Sequence, residues 1–282
     1  MMNTGTENQY KGYFQGYEGV TLFFRRWSPR ISPLAAIIIV HGLGDHSNRY
    51  QKLVDFFISR QYQIYAFDLR GHGQSPGKRG HINNWGEFRE DLSEFMKLVQ
   101  REKPNLPIFL FGHSMGGVIT LEYCLRNSPR INGLVCSAPA LGETGISRLK
   151  WALAYIMNHL GPGLVVSTGL DISLLSRDQS YITETRDDPL YHCQATPRLG
   201  MELSKAANWI QENARLLINP LLIVHGSDDA ISLLSGSHRF IRNVVFADAL
   251  LKEYRGGYHE LHSDICYGQV LNDIGIWCQD HL

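Results

Sequence analysis

The sequence predicts an α/β fold: a mostly parallel central sheet flanked by helices and interrupted by a helical insertion. Three observations carry this expectation. Short apolar runs alternate with amphipathic stretches of helical period. Several of those runs are apolar throughout, as in strands buried on both faces. A Gly-x-Ser-x-Gly sequence stands between one such run and a helical pattern. Strand, helix, strand, helix in succession implies parallel strands covered on both sides.

Residues 20–27 read as an early strand paired with 12–17. Ala36-Ile37-Ile38-Ile39-Val40 is an apolar, mostly β-branched run, and the theme returns at 63–67, 108–112, 134–137 and 221–225; 249–254 reads as a further strand. Helical patterns fill 50–60, 87–101 and 115–126. In the second of these, Phe88, Leu92, Phe95, Met96 and Val99 share one face. The rhythm breaks after Pro139, and no strand pattern returns before Asn213. Within that stretch, 148–160 reads as a helix with Leu149, Leu153, Ile156, Met157 and Leu160 on one side. Its 151–157 portion is apolar nearly all round, so both faces are expected to meet apolar surroundings. The expected organisation is therefore a core formed by 1–138 and 214–282, with an all-helical cap at 139–213.

Composition narrows the function classes. Of the 282 residues, 44% are hydrophobic, enough for a sizeable core and against disorder as the main state. Lys+Arg and Asp+Glu number 27 each, so no basic excess exists for a broad nucleic-acid-binding surface. The five cysteines (Cys124, Cys136, Cys193, Cys266 and Cys278) are scattered and include no Cys-x-x-Cys. A disulfide scaffold or zinc ribbon does not fit, and a reducing, cytoplasmic compartment is expected. The first twenty residues lack an apolar signal region, and no run of ~18 apolar residues is present to span a bilayer.

Gly112-His113-Ser114-Met115-Gly116-Gly117 carries the chemistry. A serine on a sharp strand-to-helix turn is forced into a strained backbone conformation, and its neighbours two residues away must be nearly free of side chain. Ser114 is the expected nucleophile. A serine hydroxyl needs a base to take its proton, and in this architecture an acid and then the base follow in the chain. Asp228-Asp229 follows the 221–225 strand, and His259 follows the 249–254 strand. His259 is assigned as general base and Asp229 as the carboxylate that orients it, with Asp228 as rival. The oxyanion needs N–H donors: Met115 after the nucleophile, and Leu43 in the Gly-rich loop His41-Gly42-Leu43-Gly44-Asp45-His46.

Competing motifs are incomplete. Gly42-Leu43-Gly44 and Gly71-His72-Gly73 lack the third glycine of a dinucleotide fingerprint, and Gly77-Lys78 lacks the upstream glycine of a phosphate loop. His259-Glu260-Leu261-His262 is one residue short of a metalloprotease helix motif, so no metal site is expected.

With these residues in place, the chain resembles the α/β-hydrolase superfamily, and within it the monoacylglycerol lipase and lysophospholipase branch, grouped with serine aminopeptidase-like hydrolases. The matching stretches are 41–50, Asp68-Leu69-Arg70-Gly71-His72-Gly73-Gln74-Ser75, Gly112-His113-Ser114-Met115-Gly116-Gly117, Asp187-Asp188-Pro189-Leu190, Gly226-Ser227-Asp228-Asp229 and Tyr258-His259-Glu260-Leu261-His262. The resemblance favours Asp229 as the acid and Leu43 and Met115 as oxyanion donors. It implies that Asp45, Arg49 and His262 serve substrate binding, the latter two near the alcohol end. Asp45 and Asn48 depart from the family's usual Glu and Gly at their positions.

The function so implied is hydrolysis of a carboxylic ester bearing one long acyl chain, a monoacylglycerol or lysophospholipid, with no cofactor. The cap helix would wall the acyl chain and could touch a membrane or micelle transiently. The alternatives are a broad esterase or thioesterase, a serine aminopeptidase-like hydrolase, and a non-catalytic binding protein of the same fold.

Overall fold

The structure, a computed structural model, describes residues 9–142 and 161–282. The helix expected at 148–160, whose apolar face is expected to wall the acyl chain and could touch a membrane or micelle, lies outside the described residues. In chain order the strands are β1 (Gln9–Gln15), β2 (Thr21–Trp27), β3 (Ala35–Val40), β4 (Tyr62–Phe67), β5 (Ile108–His113), β6 (Gly133–Ser137), β7 (Val166–Ser167), β8 (Gln194–Ala195), β9 (Leu221–Gly226) and β10 (Ala249–Tyr254). Eight of them form one sheet in the order β1-β2-β4-β3-β5-β6-β9-β10. Every pair from β4 to β10 is parallel; β1 with β2 and β2 with β4 are antiparallel.

The β3 run is buried at every position because its pleat feeds two cores. Ala36, Ile38 and Val40 face one cluster, and Ala35, Ile37 and Ile39 the other. The first cluster is closed by α2 (Gly86–Glu102), α3 (Met115–Asn127), α5 (Pro197–Glu212) and α6 (Leu234–Asn243), through Phe95, Val118, Ile210 and Phe240. The second is closed by α1 (Gln51–Ile58) and α7 (Tyr267–Asp280), through Phe57 and Ile274. Among the described residues, no helix is long and apolar enough to cross a membrane.

The insertion is not all helical. It contains α4 (Gln179–Asp187), begun by the Asp178 carboxylate accepting from Ser180 N and Tyr181 N, and α5, begun by Thr196 with Pro197 at its first position. β7, ahead of α4, and β8, between α4 and α5, pair as a two-residue antiparallel ribbon. Two residues are too few for a period-2 pattern to register in a sequence, so the expectation of helices alone missed it.

The turn from β5 into α3 leaves no room for a side chain at its glycines. A Cβ on Gly112 would meet Thr120 Oγ1 at 2.3 Å and Gly116 O at 2.6 Å. One on Gly116 would meet Val40 O at 2.0 Å and His41 O at 2.5 Å. Both contacts of Gly116 are backbone atoms of a central strand end, which has no rotamer to give way. Gly116→Ala is therefore expected to lower the unfolding free energy by about 1–3 kcal/mol, read from urea denaturation monitored by tryptophan fluorescence. A loss under ~0.5 kcal/mol would mean that the turn is looser than this packing implies.

Candidate active site

Ser114 sits at φ 54°, ψ −116°, a conformation non-glycine residues adopt only where the surroundings enforce it. The surroundings do so by hydrogen bonds on both sides. Ser114 N donates to Ser137 O at 3.0 Å, and Ser114 O accepts from Val118 N and Ala140 N, each at 3.2 Å. The result lifts the hydroxyl out at the head of α3, and Ser114 stays partly exposed.

His259 and Asp229 arrive from the ends of β10 and β9. His259 Nε2 lies 2.9 Å from Ser114 Oγ, and Nδ1 lies 2.7 Å from Asp229 Oδ2. A carboxylate only accepts, so the proton sits on Nδ1 and Nε2 is left to accept from the serine. The other Asp229 oxygen accepts from Ile231 N at 2.8 Å and Ser232 N at 2.9 Å. Asp228 points away: it is exposed and accepts from its neighbour Ser227 Oγ. The structure thus brings Ser114, His259 and Asp229 together, and not Asp228.

Electrostatics follow from burial and these contacts. Burial pushes Asp229 up, but the His259 charge and the hydrogen bonds from His225, His259 and Ser232 outweigh it and hold the carboxyl well below its usual range. Burial pushes His259 down, but Asp229, with smaller help from Glu260 and Asp45, outweighs it and raises the imidazole above 6.5.

His225 is a participant the sequence reading missed. Its Nε2 is 2.8 Å from Ser232 O and 3.2 Å from Asp229 Oδ2, and its Nδ1 is 2.9 Å from Ser237 Oγ. It therefore braces the acid loop. In the sequence it reads only as the last residue of a strand.

The loop after β3 faces the serine. A Cβ on Gly42 would lie 3.2 Å from Ser114 Cβ, which sets the following residue, Leu43, beside Ser114. Met115 opens α3, where the first N–H groups have no partner within the helix, and Ser114 makes no side-chain cap bond to them. His41 Nε2 accepts from Leu69 N at 2.9 Å, and Asp68 accepts from Ser47 N and Gln74 N, each at 2.7 Å. The 68–75 motif thereby fastens the loop to the core.

The side chains of Asp45, Arg49 and His262 are buried, and His262 approaches His259 through His113. Asp45 accepts from His46 N at 2.7 Å and Tyr50 OH at 2.8 Å. Arg49 Nε lies 2.8 Å from Asp45 Oδ1, and its other nitrogens reach Thr185 Oγ1 and Tyr181 OH at 2.7 Å and Glu260 Oε2 at 3.0 Å. Tyr181 and Tyr191 lie against the guanidinium, with ring centroids 4.9 and 4.7 Å away. Glu260, also missed in the sequence, is held down to about 2: burial would raise it, and the Arg49 charge, the His113 and His262 rings and the Tyr181 hydrogen bond together outweigh burial. His262 stacks on Tyr50 at 4.7 Å and meets His113 edge-on at 5.0 Å. Among the described residues neither ring nitrogen of His262 has a hydrogen-bond partner, and burial pushes it down to about 4. Burial likewise pushes His113 down to about 3.

A sequence model of the family described as "Serine aminopeptidase, S33" matches residues 31–265. The monoacylglycerol lipase of Mycolicibacterium smegmatis is 33% identical over 271 residues, 95% of this chain and 96% of that one. The crystal structure of the Paleococcus ferrophilus monoacylglycerol lipase superposes with a TM-score of 0.84 at 32% identity, covering 93% of this chain and 99% of that one. A soluble variant of the Saccharomyces cerevisiae monoglyceride lipase, in complex with a substrate analogue, gives 0.87 at 26% identity, covering 98% and 96%.

The buried neutral imidazoles make stability depend on pH. Their folded-state values lie below the unfolded 6.5, so the unfolded chain binds protons first and stability falls as pH drops below 6.5. His262 accounts for about 2 kcal/mol of that loss between pH 6.5 and 5. His262→Leu is expected to lose that much less between pH 7 and 5 in urea denaturation. An unchanged pH slope would contradict the placement of a neutral ring there.

Proposed function

The chain belongs to the serine aminopeptidase S33 family of hydrolases, and we propose that it hydrolyses the ester bond of monoacylglycerols through Ser114, His259 and Asp229. The observation that carries this reading is the continuous line of contacts, 2.9 Å from Ser114 Oγ to His259 and 2.7 Å from His259 to Asp229. The substrate class comes from the named lipases that match nearly the whole chain.

In this mechanism Ser114 Oγ attacks the ester carbonyl carbon while His259 Nε2 takes the hydroxyl proton. The imidazolium that forms is stabilised by the ionised Asp229. The carbonyl oxygen becomes an oxyanion, held by the N–H groups of Leu43 and Met115, each worth ~3 kcal/mol in comparable sites. The carbon–oxygen bond to glycerol breaks, and His259 gives its proton to the departing oxygen. Water then attacks the acyl-enzyme, losing its proton to His259, and the fatty acid leaves as the proton returns to Ser114. We assign Asp45, Arg49 and His262 to the support beneath the leaving alcohol, since Asp45 and Arg49 spend their hydrogen-bonding groups on protein partners and all three side chains are buried. The insertion would wall the acyl chain.

Ser114→Ala is expected to reduce kcat/KM on a p-nitrophenyl acyl ester by about 10⁴-fold or more while leaving the circular dichroism spectrum unchanged. Activity within tenfold of the parent would end this reading. His259 must be neutral to act, and its value lies above 6.5. The kcat/KM profile should therefore fall on the acid side with a midpoint above 6.5. Among 1-monoacylglycerols, a lysophospholipid and an aminoacyl amide, the monoacylglycerols should react fastest. Faster cleavage of the amide would select the peptidase alternative.

A further inference from the structure

The Asp187-Asp188-Pro189-Leu190 motif has no part in the mechanism above, yet it ends against the loop that presents Leu43. Asp188 closes α4 of the insertion and divides its carboxylate between two duties. Oδ1 accepts from Leu190 N at 2.8 Å, forming the turn over Pro189, and Oδ2 lies 2.8 Å from His46 Nε2. His46 Nδ1 accepts from Asn48 N at 3.3 Å, so the ring proton is on Nε2 and is donated to Asp188. The His46 side chain is 2% exposed and the Asp188 side chain 22%, so the bond is shielded on the His46 side.

A second contact grips the same loop. His192 N donates to Gly44 O at 2.9 Å. Gly44 stands at φ +77°, and a Cβ there would fall 1.9 Å from His192 O. The insertion's 188–192 segment thus holds the loop on either side of Asp45, one residue and three residues beyond Leu43. The core holds the loop's start and end, through His41 with Leu69 and Ser47 with Asp68. The stretch between those anchors is tied down by the insertion.

We propose that Asp188 is a positioning residue for the oxyanion-stabilising loop, acting through His46, so that the insertion completes the core's catalytic geometry as well as covering it. This rests on the reading of Leu43 as an oxyanion donor. A donor displaced by a fraction of an ångström loses most of its effect on the transition state but little of its effect on the planar ground-state ester.

The test uses the full chain and two inhibitors. An alkyl trifluoromethyl ketone adds to the serine and places an oxyanion in the site; an ether analogue of monoacylglycerol binds without one. Asp188→Asn keeps the turn bond to Leu190 through its carbonyl oxygen and replaces only the acceptor facing His46. Asp188→Ala removes both, and Lys52→Ala severs a separate tie to the insertion, the 3.1 Å pair with Asp178. Asp188→Asn is expected to lower kcat about 10- to 100-fold and to raise the ketone Ki by the same factor. Its KM and ether Ki should stay within about twofold, and Lys52→Ala should move neither inhibitor. If Asp188→Ala fails to fold, Asp188→Asn alone decides. Equal ketone inhibition of the parent and Asp188→Asn would overturn the proposal, as would parallel weakening of ketone and ether. A ketone that fails to inhibit the parent would instead overturn the catalytic reading itself.

Discussion

One backbone conformation organises the molecule. Holding Ser114 at positive φ requires a glycine two residues away on either side, a strand end within van der Waals contact of Gly116, and hydrogen bonds that Ser114 donates to Ser137 and accepts from Val118 and Ala140. Such strain costs of order 1–3 kcal/mol and persists only when the surroundings over-determine it. The central strands supply that rigidity. β3 and β5 are buried at every residue and pair in parallel, so their ends cannot shift independently. The loops after β3, β5, β9 and β10 then converge at the carboxyl edge of the sheet, where open α/β sheets place their sites.

Around that edge the chain buries several charges and imidazoles. Arg70 meets Asp91 at 2.7 Å and Glu87 at 3.1 Å, tying the 68–75 loop to α2. Arg49 joins Asp45 and Glu260. Each guanidinium is paired with carboxylates and hydrogen-bonded through other nitrogens, the condition under which a buried charge is tolerated. Their arrangement also separates roles among chemically identical side chains. His259, beside a carboxylate, is raised; His113 and His262, beside aromatic rings and other imidazoles, are lowered. Environment, not residue type, makes one of three adjacent rings suited to accept a proton near neutral pH.

The parts that were legible in the sequence are those whose physics is local. The 36–40 run announces a doubly buried strand because both faces of the pleat need apolar residues. Ser114 is legible because only a glycine-flanked strand-to-helix turn requires that spacing. Asp229 is preferred with Asp228 as rival, since a turn tolerates aspartate at either position; the His259 contact and the Ile231 and Ser232 N–H groups, all made to Asp229, separate them. Contacts between distant segments left no local trace. Glu260 meets Arg49 across 211 positions, and His46 meets Asp188 across 142. His225 was hidden for a different reason: a strand-end histidine carries no pattern that separates bracing from packing.

The central claim is that Ser114 is the one nucleophile of this site and that His259 makes it so. Labelling with a fluorophosphonate, followed by peptide mass spectrometry, tests both at once. The account predicts a single adduct on Ser114, formed in the parent chain and lost in His259→Ala. An adduct on any other residue, or equal labelling of Ser114 without His259, would contradict it.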